Sequence, residues 1–121
     1  IITDAGVTIL DKTRRTEEGF YRGVQTYVPA GINLKDVNPR PISMDQPANG
    51  LIGCFSDDDK YLMATAWDHY QELFQGIFVC IHSDPRVGGL KAGEVKQLRG
   101  KIYFLKNDTK ALLRRYQQDF E

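Results

Sequence analysis

The segment from Gly76 to Leu105 constrains the fold more than any other part of the chain. It reads G-I-F-V-C-I-H-S-D-P-R-V-G-G-L-K-A-G-E-V-K-Q-L-R-G-K-I-Y-F-L. An apolar run over residues 77–82 fits a strand covered on both faces. A loop carrying Pro85, Gly88, Gly89 and Gly93 follows. Residues 95–105 then alternate, with Leu98, Ile102 and Phe104 expected inward and Gln97, Arg99 and Lys101 outward. Two strands so joined predict a mainly β architecture.

The rest of the chain agrees. Residues 7–13 and 20–28 both alternate, the latter with Phe20, Val24 and Val28 on one face and Tyr21 and Tyr27 on the other. Residues 51–56 and 61–67 read as the arms of a hairpin, with Asp57-Asp58-Asp59-Lys60 as its turn. Asp suits such a turn because its carboxylate accepts from nearby backbone amides. Met63, Trp67, Tyr70 and Phe74 also fit helical spacing, but the polar turn and Thr65 favour the hairpin. Residues 68–75 are expected to form a loop or one helical turn.

Between residues 29 and 49 stand Pro29, Pro39, Pro41 and Pro47. Each removes a backbone donor and restricts the residue before it, so neither a long helix nor a central strand fits there. Ile32, Leu34, Val37, Ile42 and Met44 suggest that this long segment packs on the sheet. The C-terminal residues read as a helix capped by Asn107 or Asp108. Leu112, Tyr116 and Phe120, with Leu113 beside them, make its apolar stripe.

The expectation is therefore an antiparallel β-sandwich with one C-terminal amphipathic helix. At 121 residues the chain matches a single domain spanning residues 1–121. Its first residue is Ile, with a strand-like pattern close behind, which suggests a C-terminal fragment or processed product of a longer protein.

Acids and bases balance at 16 each. That argues against non-specific nucleic-acid binding, which draws on a basic surface, and against a polybasic membrane anchor. No apolar run reaches the length of a membrane helix. The two cysteines, Cys54 and Cys80, fall in expected strands. They fit buried thiols, or a disulfide if the strands are neighbours.

Two clusters carry chemistry. If the strand continues through Ser83, His82 and Asp84 share a face with Cα atoms about 6.6 Å apart. Such a pair can exchange a proton or grip a sugar hydroxyl. Trp67, Asp68, His69, Tyr70 and Gln71 combine flat aromatic faces with polar groups, as carbohydrate recognition requires. Arg86 lies just beyond the first cluster. If residues 61–67 and 77–82 are neighbouring strands, indole and imidazole approach a common pocket. Metal is not expected, because no H-x-x-x-H or C-x-x-C spacing occurs. No cofactor is expected either, since no phosphate-binding glycine loop or nucleophile elbow appears.

S-D-D-D-K-Y-L-M-A-T-A-W, from Ser56 to Trp67, resembles a hairpin of bacterial carbohydrate-active β-sandwiches. The stretch from Cys80 to Phe104 resembles the closing strands of galactose-mutarotase-like supersandwich proteins, with Ala92 where their turn has Pro. The resemblance implies a carbohydrate-associated domain binding glycan on one sheet face, through Trp67, His69, Gln71 and Arg86. The alternative is a sugar epimerase or lyase-like fragment using His82 as acid or base, with Asp84 from the first cluster as the candidate catalytic residue beside it. The catalytic pair of mutarotases is a His and a Glu, to which His82 corresponds loosely and for which no Glu here is matched. An interaction domain, packed against the rest of a longer chain or a second copy, is the third expectation.

Overall fold

The computed structural model describes residues 1–3, 6–10, 14–15, 17–18, 21–38, 41–76 and 80–121, with backbone alone at 14, 15, 21 and 22. It is an antiparallel β-sandwich with one C-terminal helix. In chain order the strands are β1 (Ile2–Thr3), β2 (Gly6–Val7), β3 (Arg14–Arg15), β4 (Tyr21–Arg22), β5 (Gln25–Tyr27), β6 (Ile52–Phe55), β7 (Tyr61–Trp67), β8 (Tyr70–Gln75), β9 (Ile81–Pro85) and β10 (Gly100–Lys106). Helix α1 (Thr109–Phe120) closes the chain. One main sheet has the order β10-β7-β6, the other β5-β8-β9, and β1-β2 and β3-β4 form small ribbons.

The expected hairpin is present, with β6 paired antiparallel to β7. Its turn follows from side-chain chemistry. The Asp58 carboxylate accepts from the Ser56 hydroxyl at 2.7 Å and the Lys60 amide at 3.2 Å. The serine hydroxyl first, then the Lys60 ammonium at 2.9 Å and the Lys60 amide, hold the Asp58 pKa below its ordinary value. Asp59 takes φ = 55°, a left-handed conformation that Asp tolerates better than most residues.

Two cores hold the layers together. Leu62, Ala64 and Ala66 of β7 and Tyr103 of β10 pack against Leu112 and Tyr116 of α1. Small alanines let the helix approach, and its buried Leu and Tyr each contribute about 1.5–3 kcal/mol. The helix starts where Asp108 accepts from the Ala111 amide at 2.9 Å, leaving Asn107 to donate to the Asp59 carbonyl. The second core lies between the main sheets. There Ile52 of β6 meets Tyr27 of β5 and Leu73 of β8, with Ile81 beside them.

Several expectations are corrected. Residues 68–75 are neither loop nor helical turn: β8 is the central strand of its sheet. β8 takes β9 as its ladder partner in that sheet while β7 belongs to the other, so residues 61–67 and the strand carrying His82 are not paired neighbours, although the two strands lie in contact across the sandwich. The latter strand lies later than expected, at Ile81–Pro85, while residues 77–79 fall outside the described residues. The expected strand over residues 20–28 divides at Gly23, where φ = 80°, and Phe20 lies outside the described residues. Tyr27 and Val28 are both buried, so the simple alternation fails there. Of residues 7–13, Val7 alone is in a strand, and 11–13 lie outside the described residues.

The alternation of β10 is inverted. Tyr103 is buried, whereas Ile102 is 79% and Phe104 71% exposed. The reason is the helix: Tyr103 fills the α1 core and its hydroxyl donates to Asp119 at 3.1 Å. Residues 95–99 are not strand, and Val95 is exposed. The proline-rich segment packs through Val37, while Leu34, Ile42 and Met44 are exposed. Cys54 and Cys80 are neither buried nor bonded, but exposed free thiols.

Candidate functional site

The chain passes from one main sheet to the other through two residues, Asp68 and His69. His69 adopts φ = 58°, where His is enriched among non-glycine residues. The ladders continue into this corner from both sides. The Asp68 amide donates to the Arg99 carbonyl at 2.8 Å, and the Arg86 amide donates to the His69 carbonyl at 2.6 Å. Backbone pairing thus gathers Trp67, Asp68, His69, Tyr70 and Arg86 where the C-terminal turn of α1 arrives.

A cleft of about 310 Å³ opens at this corner. Trp67, His69, Tyr70, Arg86, Tyr116 and Phe120 line it, with Asp68 between the first two and Pro29, Ala30 and Ile32 completing the wall. Its volume is at the lower end of the range for small-molecule sites. The Asp68 carboxylate lies 3.2 Å from the Arg99 guanidinium and 3.6 Å from His69 Nε2. The same guanidinium sits 5.1 Å from the centre of the Phe120 ring, within cation–π range. Arg99 therefore ties the corner to the end of the helix. Trp67 is half-buried, and its indole lies against Gly100, the residue opposite it in the ladder.

Burial pushes the Tyr70 hydroxyl up to about 12, with Tyr116 adding to the shift. Burial likewise raises Tyr116. Both phenols are neutral at ordinary pH. The Tyr70 hydroxyl donates to the Pro47 carbonyl at 3.3 Å.

Of the residues expected from sequence, Trp67, His69 and Arg86 share this cleft. Gln71 does not. It faces the proline-rich segment, and its amide nitrogen donates to the Asp36 carbonyl at 2.7 Å. His82 and Asp84 are brought together, with Nδ1 and Oδ1 3.8 Å apart, but outside the cleft. The imidazole packs on Phe74 of β8, ring centres 5.4 Å apart. Next to Asp84 in the ladder stands Glu72, which is fully buried. Its carboxylate accepts from the Asn38 amide at 3.3 Å and the Asn38 side chain at 3.0 Å, anchoring the proline-rich segment. Among the described residues no group of three or more His, Cys, Asp and Glu is placed to hold a metal ion.

Sequence reading missed Tyr116, Phe120 and Arg99. The first two belong to an apolar stripe that reads as core, and they are core as well as cleft wall. Arg99 carries no local signal, because its partners are far away in sequence. No family model matches the chain, and no match was found among curated proteins or solved structures.

Proposed function

We propose that the chain is a carbohydrate-associated β-sandwich domain that binds a glycan in the corner cleft. The observation that carries this reading is the composition of one small cavity. Four aromatic side chains, Trp67, Tyr70, Tyr116 and Phe120, stand beside Asp68, His69 and Arg86. Aromatic faces accept the C–H surface of a sugar ring, while charged and amide groups meet its hydroxyls. The resemblance of residues 56–67 and 80–104 to carbohydrate-active sandwiches points the same way. A glycan array tests it. Wild-type protein should bind at least one oligosaccharide class, and Trp67→Ala should weaken that binding at least tenfold. An array without a hit overturns the reading.

A second reading, self-association, is favoured by β10. This strand is the edge of its sheet, and Ile102 and Phe104 are largely exposed on it. Phe104 stacks on Tyr61, ring centres 5.6 Å apart. An uncovered apolar edge is a template for pairing. Antiparallel pairing of β10 with its own copy about Tyr103 sets Ile102 opposite Phe104. It also places neither Lys101 nor Lys106 opposite another lysine, so the edge is self-complementary. Sedimentation should show a concentration-dependent dimer that Phe104→Lys abolishes. A wild-type monomer at high concentration removes this reading.

A further inference from the structure

One cation of the corner cleft is left unengaged among the described residues, and this says what kind of sugar fits it. Asp68 is the cleft's carboxylate, and it is engaged by Arg99 at 3.2 Å and His69 at 3.6 Å. Arg86 also lines the cleft. Among the described residues its guanidinium has no ion pair or hydrogen bond. Its backbone, by contrast, is fixed by the bond to the His69 carbonyl. A planar, exposed cation therefore stands on an anchored backbone beside aromatic walls.

We infer that the glycan taken by this cleft is acidic, with a uronate carboxylate held by Arg86; this rests on the glycan-binding reading above. Arg presents two parallel N–H donors that match a carboxylate in a bidentate pair. A neutral sugar leaves that capacity unused. Asp68 does not repel the incoming carboxylate strongly, because Arg99 offsets its charge at contact distance. His69, at 83% side-chain exposure, is open to solvent at the rim. The geometry thus favours an anion at one end of the cleft and an apolar ring face along its wall.

The test uses an array of defined oligosaccharides, neutral and uronate-bearing, followed by calorimetric titration of the strongest binders. Each uronate is compared with its methyl ester. The free acid should bind at least tenfold more tightly than the ester. That advantage should shrink as salt is raised, because salt screens the charge pair. Arg86→Gln should abolish the advantage by weakening the free acid far more than the ester, whereas Trp67→Ala should weaken both forms alike. Equal binding of acid and ester, hits confined to neutral sugars, or wild-type preference retained in Arg86→Gln would each overturn the acidic assignment and leave glycan binding standing. An array with no hit at all removes both.

Discussion

Gly100 faces Trp67 across the β7–β10 ladder so closely that a methyl group on its Cα would come within 2.6 Å of the indole. The next two nearest atoms, each at 2.8 Å, also belong to that ring system. A rigid bicycle cannot bend away as a lysine tip can. Either the indole shifts or the strand does. Gly100→Ala should cost about 1–3 kcal/mol of stability, the usual range for overpacking. Gly89→Ala is the control, since nothing lies within 4 Å of an added Cβ there. Trp67 is the sole tryptophan in the chain, so its fluorescence follows the displacement directly during thermal unfolding. Gly100→Ala should also weaken binding of the proposed glycan, because the indole lines the cleft.

Thr26 supplies a second prediction, of opposite sign. It is fully buried in β5. Its backbone is well used, with the amide donating to the Pro41 carbonyl and its carbonyl accepting from the Ser43 amide, both at 2.8 Å. Among the described residues its hydroxyl has no hydrogen-bond partner. A buried hydroxyl without a partner carries an uncompensated desolvation cost. Thr26→Val keeps the shape and removes that group, so urea unfolding should show a gain of about 1 kcal/mol. A loss of stability would mean that the hydroxyl is engaged in solution.

How much of this was legible in the sequence depends on whether the deciding contact was local. The Ser56–Tyr61 turn was readable because Asp58 bonds to its own neighbours. The helix was readable for the same reason, through Asp108 and the Leu112–Tyr116 stripe. β8 was not, since Gln71, Glu72 and Gln75 look like solvated loop. They are accommodated by distant groups: Asn38 for Glu72, the Asp36 carbonyl for Gln71 and the Gly23 carbonyl for Gln75. β10 was inverted because Ile102 and Phe104 are the more apolar set, and only the helix, with Asp119 waiting for the Tyr103 hydroxyl, selects the other face. In the candidate site, Trp67, His69 and Arg86 were named from composition. That His82 would lie elsewhere followed from the strand that sequence reading did not see.

The cysteines give a direct check of the fold. Both are exposed and unbonded, contrary to their placement in expected buried strands. A thiol-specific chromogenic reagent should therefore titrate two thiols in native protein, without denaturant and within minutes. Adding a reductant should leave the melting temperature unchanged, because no disulfide links the strands. Protection of either thiol until unfolding would place it inside a core and would contradict the register of β6 or the start of β9.

Asp119 sets an acid-sensitive contact between α1 and β10. Its carboxylate accepts from the Lys101 ammonium at 2.6 Å and from the Tyr103 hydroxyl at 3.1 Å. These contacts, the lysine first, hold its pKa below the ordinary 3.8. A carboxyl whose folded pKa is depressed contributes stability that is fully present above its unfolded value. That contribution is lost as pH falls through the folded value, because the folded carboxyl is then protonated as the unfolded one already is. Stability measured by urea unfolding should thus decline from 3.8 downward more steeply in the wild type than in Asp119→Asn. The variant should be the less stable of the two at pH 7, and the difference should vanish in strong acid. Raising salt at pH 7 should narrow the gap between them, since part of the contact is an ion pair at the surface. Parallel acid limbs in the two proteins would show that the Lys101–Asp119–Tyr103 contact does not hold the helix to the sheet edge in solution.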